Sequence, residues 1–185
     1  MKTKNTQREK DRLLTGFTLV ELIVVMALII FITGLTIVNL KPGEGELLLE
    51  RSIHQVARDS RSAMGITLRA KPHSCGAVPN FSGYGIYFAP GDTTYLLFSD
   101  CNGSKKYEPS DDEEEVFKLK EGVRIQDATP LQGGGLHVLF VPPNPDVYIN
   151  TDPDEPQAQI ILELVSDSTR TRTLTITNKG VIDIE

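Results

Sequence analysis

One acid stands where acids are costly. From Phe17 to Leu40 the sequence reads FTLVELIVVMALIIFITGLTIVNL, 24 residues whose single charge is Glu21. If that run enters a bilayer, a carboxylate within it costs on the order of 2.5–3.5 kcal/mol and needs a partner. No Lys or Arg lies inside the run. A cut between Gly16 and Phe17 would create one, because it leaves a new α-amine, cationic at neutral pH, four residues before Glu21. The amine of one copy could then neutralise Glu21 of its neighbour. Such a pair would also fix the axial stagger between helices, a register role known for buried polar groups.

The other chemistry-bearing residues are few. Cys75 and Cys101 stand 26 positions apart with no C-x-x-C pair, which argues against a zinc knuckle. Whether they join depends on the compartment they reach. Asp100, Asn102 and Ser104 offer oxygens at alternate positions, with Asp111 eleven residues after Asp100. This is similar to a D-x-N-x-S calcium loop with an acid at its twelfth position. Lys105 stands where that pattern has Gly, and Lys106 adds a second cation. A calcium loop and a solvated acidic loop both fit, and the second demands less. His54, His73 and His137 are not spaced as a metal set. No nucleophile elbow appears, and Gly133-Gly134-Gly135 lacks the Lys and Ser/Thr of a phosphate loop. The chain reads as a non-enzyme with no required cofactor.

The elements that must position these residues follow from charge and periodicity. Residues 1–16 carry five Lys or Arg against two acids, a net +3, which leaves −9 for the rest of a chain whose total is −6. An acidic remainder argues against nucleic acid as a partner. By the positive-inside rule the basic leader stays in the cytoplasm and the C-terminal part is exported. A helix over 17–40 would span roughly 36 Å, more than the roughly 30 Å hydrocarbon core. The run is too long for an ordinary secretory signal, and no small-x-small site ends it. A plain signal anchor would explain the run but not Glu21.

Lys41-Pro42-Gly43-Glu44-Gly45 predicts a kink or a short melted stretch. From Glu46 the spacing of Leu49, Ile53, Val56, Ser60 and Ala63 predicts an amphipathic helix, ending near Lys71-Pro72, with its stripe against a sheet. Strands are expected at Gly85–Phe88 and Thr93–Ser99, joined by the turn Ala89-Pro90-Gly91-Asp92. Further strands are expected at Glu115–Leu119, Val123–Ile125, Leu136–Val141, Gln159–Val165, Arg170–Thr177 and Val181–Ile184, with Pro142 to Pro156 as a surface loop. In Arg170–Thr177 one face holds Arg172, Leu174 and Ile176 and the other holds threonines.

The string GFTLVELIVV, Gly16 to Val25, resembles the prepilin processing signature of type IV pilins and type II secretion pseudopilins. Gly16, Phe17 and Glu21 match that pattern residue by residue, and the resemblance covers residues 12–40. It implies cleavage after Gly16 by a prepilin peptidase, N-methylation of Phe17, and a role for Glu21 in methylation and filament assembly. It also implies an α+β, type IV pilin-like fold: one long N-terminal helix, transmembrane half then amphipathic half, packed on an antiparallel β-sheet head. The expected division is a leader at 1–16, an assembly helix at 17–40, a kink and amphipathic helix at 41–71, and an exported β-rich head at 72–185. The implied partners are other pilin or pseudopilin subunits, the peptidase/methyltransferase and inner-membrane lipid. The implied location is the inner membrane, single-pass, then a filament at the periplasm or cell surface. Outside 12–40 the chain looks loosely like minor pseudopilins of the H type, and some pseudopilins bind calcium in the head.

Export would place Cys75 and Cys101 in an oxidising compartment and predicts a disulfide rather than two free buried thiols. A structural subunit of a type IV pilus or type II secretion pseudopilus is therefore the leading expectation. A membrane-anchored ligand-binding or adhesive module that never polymerises is the alternative, and it would have no need of Glu21.

Overall fold

A computed structural model describes residues 17–38, 41–69, 75, 82–109, 112–143 and 146–185, with the side chains of 35–38, 41–42 and 112–114 left out. The chain divides into two compact units, residues 1–41 and 42–185.

The first unit holds helix α1, Leu19–Val38, 20 residues long. It is apolar on all sides: every side chain from Phe17 to Gly34 is exposed, with Phe17 at 84% and Ile30 at 72%. A helix with no polar face has nothing of its own to bury against.

Helix α2, Lys41–Leu68, runs from the last residue of the first unit into the second. Its first turn takes in Lys41, Pro42 and Gly43, so the helix starts five residues before the expected restart at Glu46. Proline lacks an N–H, but the first turn of a helix needs none there, so Pro42 can sit inside the start. The stripe Leu49, Ile53, Val56, Ser60 and Ala63 is buried throughout. Ser60 satisfies its hydroxyl on the Val56 carbonyl at 2.8 Å.

Among the described residues nine strands follow: β1 Gly83–Phe88, β2 Thr94–Asp100, β3 Asp112–Lys118, β4 Val123–Thr129, β5 Leu136–Val141, β6 Asp146–Ile149, β7 Gln157–Leu164, β8 Asp167–Thr177 and β9 Ile182–Ile184. They form two antiparallel sheets, ordered β3-β2-β1-β5-β6 and β4-β7-β8-β9. Gly91 holds φ 89° in the β1–β2 turn, as a Pro-Gly type II turn requires, and Asp92 N–H closes it on Ala89 O at 3.2 Å. Gly122, at φ 82°, turns the chain between β3 and β4 and so passes it from one sheet to the other. The stripe of α2 and apolar residues of both sheets, among them Ile86, Val138, Ile160 and Leu174, share one buried cluster.

Two expectations are corrected. The fold is not one long N-terminal helix on a single antiparallel sheet. The described helices are separate, 20 and 28 residues, and the strands divide five and four between two sheets. Among the described residues no helix is long and apolar enough to cross a membrane, so the apolar helix expected over 17–40 is replaced by the shorter α1. The second correction lies in 142–156. That stretch is not all loop, because β6 forms there and pairs with β5 from Val138↔Ile149 to Val141↔Asp146. Its prolines fall outside the four strand residues, and an edge strand needs donors on one side only.

Candidate functional site

At the N-terminal end of α1, Thr18 is the cap. Its Oγ1 accepts the Glu21 N–H at 3.2 Å, and its carbonyl accepts the Leu22 N–H at 3.2 Å. Glu21 therefore sits at the third helical position, where a negative charge is favoured by the helix dipole. Thr18-Leu19-Val20-Glu21 is the T-x-x-E spacing of a capping box ahead of an apolar run, a sequence signal that gives Glu21 a local role besides the one expected from its charge. Phe17, Glu21, Leu22, Val25, Met26 and Ile29 line one open groove along a single side of α1. Among the described residues Glu21 is its only ionisable group. Gly16 lies outside the described residues.

Cys75 and Cys101 form a disulfide, with Cα atoms 5.4 Å apart, as export predicted. Ser99 Oγ lies beside both sulfurs, at 3.5 and 3.6 Å.

The segment after β2 folds around Asp100. That buried carboxylate accepts three backbone N–H groups: Gly103 at 2.9 Å and Ser104 at 3.1 Å on Oδ1, and Lys105 at 3.0 Å on Oδ2. Asn102 Oδ1 accepts the Ser104 N–H at 2.8 Å while its amide donates to Glu108 at 2.8 Å. Ser104 Oγ donates to Lys106 O at 3.1 Å. Lys105 holds φ 63°, at the position where the calcium pattern has Gly. Three of the four expected oxygen donors thus serve their own loop, and Asp111 lies outside the described residues. Among the described residues no group of three or more His, Cys, Asp or Glu is arranged to hold a metal.

His137 closes the same region from β5. Its Nδ1 accepts the Tyr107 N–H at 2.9 Å, and its Nε2 faces Gln132 O at 3.2 Å, which places the single proton of a neutral ring on Nε2. The ring packs against Tyr87 with centroids 4.9 Å apart. Burial pushes its pKa down, the Gln132 carbonyl opposes that, and Lys106 adds to it. Spacing alone could not find this clamp, because its parts come from β5 and two loops. His54 faces Glu50 on α2 at 3.0 Å, and His73 lies outside the described residues.

Two further polar ties hold α2 to the sheets. Tyr95 donates to Asp59 at 2.6 Å and receives Gln55 at 3.3 Å, and burial with the Asp59 carboxylate drives its phenol well above the ordinary range. Arg172 reaches across from β8 to Glu46 and to Glu50, the latter at 3.1 Å, and holds the Glu50 carboxyl below its ordinary value.

Among the described residues of the head, no nucleophile, base and oxyanion donor are gathered together. The described residues show an apolar helix with one acid at its start, and a cross-braced head. No family model matches the chain, and no curated protein or solved structure matches it at a significant level.

Proposed function

We propose that this chain is a structural subunit of a type IV pilin-like filament, of the pilus or the secretion pseudopilus kind. It is cut after Gly16, N-methylated at Phe17 and assembled through the apolar segment that contains α1. The observation that carries this reading is Glu21: the one charge in the Phe17–Leu40 run, at the start of a helix exposed on every side from 17 to 34. Before assembly the segment rests in the inner membrane, with the basic leader cytoplasmic and the head exported. In the filament, neighbouring copies of α1 replace lipid around each helix. The amine of one Phe17 meets Glu21 of the next, so two costly charges cancel only when subunits join. The disulfide supports an exported head. The partners are further copies or related subunits, the peptidase that cuts the leader and methylates the amine, and lipid.

A second reading, an anchored module that does not polymerise, is favoured by one observation: the Thr18 cap places Glu21 where a helix start takes an acid in any case.

The test is a mass spectrum of the mature N-terminus together with Glu21→Ala in the full chain. A start at methylated Phe17, and loss of cross-linked multimers with unchanged membrane insertion, are the expected results. A start at Met1, or undiminished multimers from the Ala variant, overturns the assembly reading.

A further inference from the structure

The head distributes its charge unevenly. Arg51, His54 and Arg58 on α2, with Lys120 after β3, line one open groove that also includes Glu50 and Gln55. Glu50 is already engaged by Arg172 and His54. Asp59, 3.6 Å from Arg58, is engaged by Tyr95. Among the described residues neither Arg51 nor Lys120 has a carboxylate partner. The groove is therefore cationic within a region, residues 17–185, of net charge −9.

A second flank is acidic. Asp146 opens β6, and Asp152, Asp154 and Glu155 follow it, the three aspartates exposed. Asp152 spends one oxygen on the Asp154 N–H at 2.8 Å, and among the described residues none of the four pairs with a Lys or Arg. Lys105 lies near this flank but over the Tyr148 ring, 3.8 Å from its centroid. Lys120 follows β3, and β3 and β6 are the two outer strands of one five-stranded sheet. Four strand spacings separate them, about 19 Å. That exceeds the roughly 8 Å Debye length at physiological salt, so the patches of one chain do not neutralise each other. Glu121 stands next to Lys120 in the chain and, among the described residues, pairs with no Lys or Arg; it offsets one of the cations Arg51, Arg58 and Lys120 and leaves the groove net positive.

We propose that the Arg51–Arg58–Lys120 groove of one copy receives the acidic Asp146–Glu155 flank of a second copy. The two patches differ: Lys120 follows one outer strand of the five-stranded sheet and Asp146 opens the other. The contact is therefore head-to-tail, and it can repeat from copy to copy, as a filament requires. Complementary charge steers and orients such a contact, while close packing is left to the helices. The inference rests on the assembly reading above and adds the head surfaces that set subunit order.

The experiment uses the full chain in its membrane with His54→Cys and Pro153→Cys, one probe in the groove and one on the flank. A short bis-maleimide is added, the native cysteines being paired. A ladder of multimers is expected, weakening as salt is raised. Arg51→Glu/Arg58→Glu sets acid against acid and Asp152→Lys/Asp154→Lys sets base against base, so each alone should lose roughly tenfold of the ladder. Co-expressed, the two reversed chains complement each other and the ladder should return, which a folding defect would not allow. Reversed chains that cross-link like the parent, or a mixture no better than either alone, overturn the inference. If Glu21→Ala removes multimers while the reversals do not, assembly through α1 stands and this contact does not. A parent chain with no ladder at all overturns this contact, and the assembly reading is then decided by the Glu21→Ala test alone.

Discussion

The two helices of this protein have opposite habits. α2 buries Leu49, Ile53, Val56 and Ala63 along one stripe and turns Arg51, His54 and Arg58 outward. α1 buries nothing between Phe17 and Gly34. α2 is thus held by its own tertiary structure, while α1 carries apolar surface that the described residues of its own unit do not cover. The difference teaches that the stability of the head and the association proposed for the chain are physically separable, and mutations should sort into one class or the other.

The largest expected effect breaks the comparison at its clearest point. Ile53→Ala should destabilise the head by about 2–5 kcal/mol, the range for truncating a buried aliphatic side chain. Ile29→Ala, in α1, should leave the head transition unchanged; denaturant unfolding followed in the Tyr region checks both. If both shift the midpoint equally, the two helices are not independent. Next is the disulfide. Reducing Cys75–Cys101 should cost about 3 kcal/mol for a loop of 26 residues, read as the difference between unfolding curves with and without reductant. A smaller effect comes from Tyr95→Phe, which keeps the ring stack on Phe88 but removes the bond to Asp59 and should cost about 1.5–3 kcal/mol. The same residue should show no ultraviolet phenolate transition near pH 10.

The smallest effect is a pH dependence. The folded-state pKa of His137 is lowered, so between that value and the ordinary value near 6.5 the unfolded chain binds more protons. The His137 contribution is therefore complete above about pH 6.5 and is lost as pH falls below it. His137→Gln should flatten that part of the stability profile relative to the parent, and unchanged curvature would remove His137 from the account.

Legibility followed locality. The stripe of α2, the Pro90-Gly91 turn and the alternation of Leu174 and Ile176 against threonines are short-range patterns, and each was readable because period and turn chemistry act within a few residues. β6 was not, because Pro142–Pro156 is dominated by turn formers and its strand exists only through β5. The partition into two sheets was equally hidden, since it depends on β4 choosing β7 over its sequence neighbour β3. At the candidate site, Glu21 and the cysteine pair were visible. The Thr18 cap was present as T-x-x-E but outweighed by the charge argument. The inward turn of Asp100 was masked by its likeness to a calcium loop: both uses need the same oxygens, and sequence does not say whether an oxygen faces a cation or its own backbone.

What the sequence by itself determined is where charge and apolar surface lie along the chain: the +3 leader, the single acid in the 24-residue run, the one-sided stripe after Glu46. What only the tertiary structure decided is which distant groups meet: Arg172 with Glu46 and Glu50, His137 with Tyr107, and Arg51, His54 and Arg58 of α2 with Lys120 in one groove. The reason is that local pattern is set by sterics and periodicity over one or two turns. Pairing across 30 to 120 residues is set by the free energy of the whole packed core, which no short window contains.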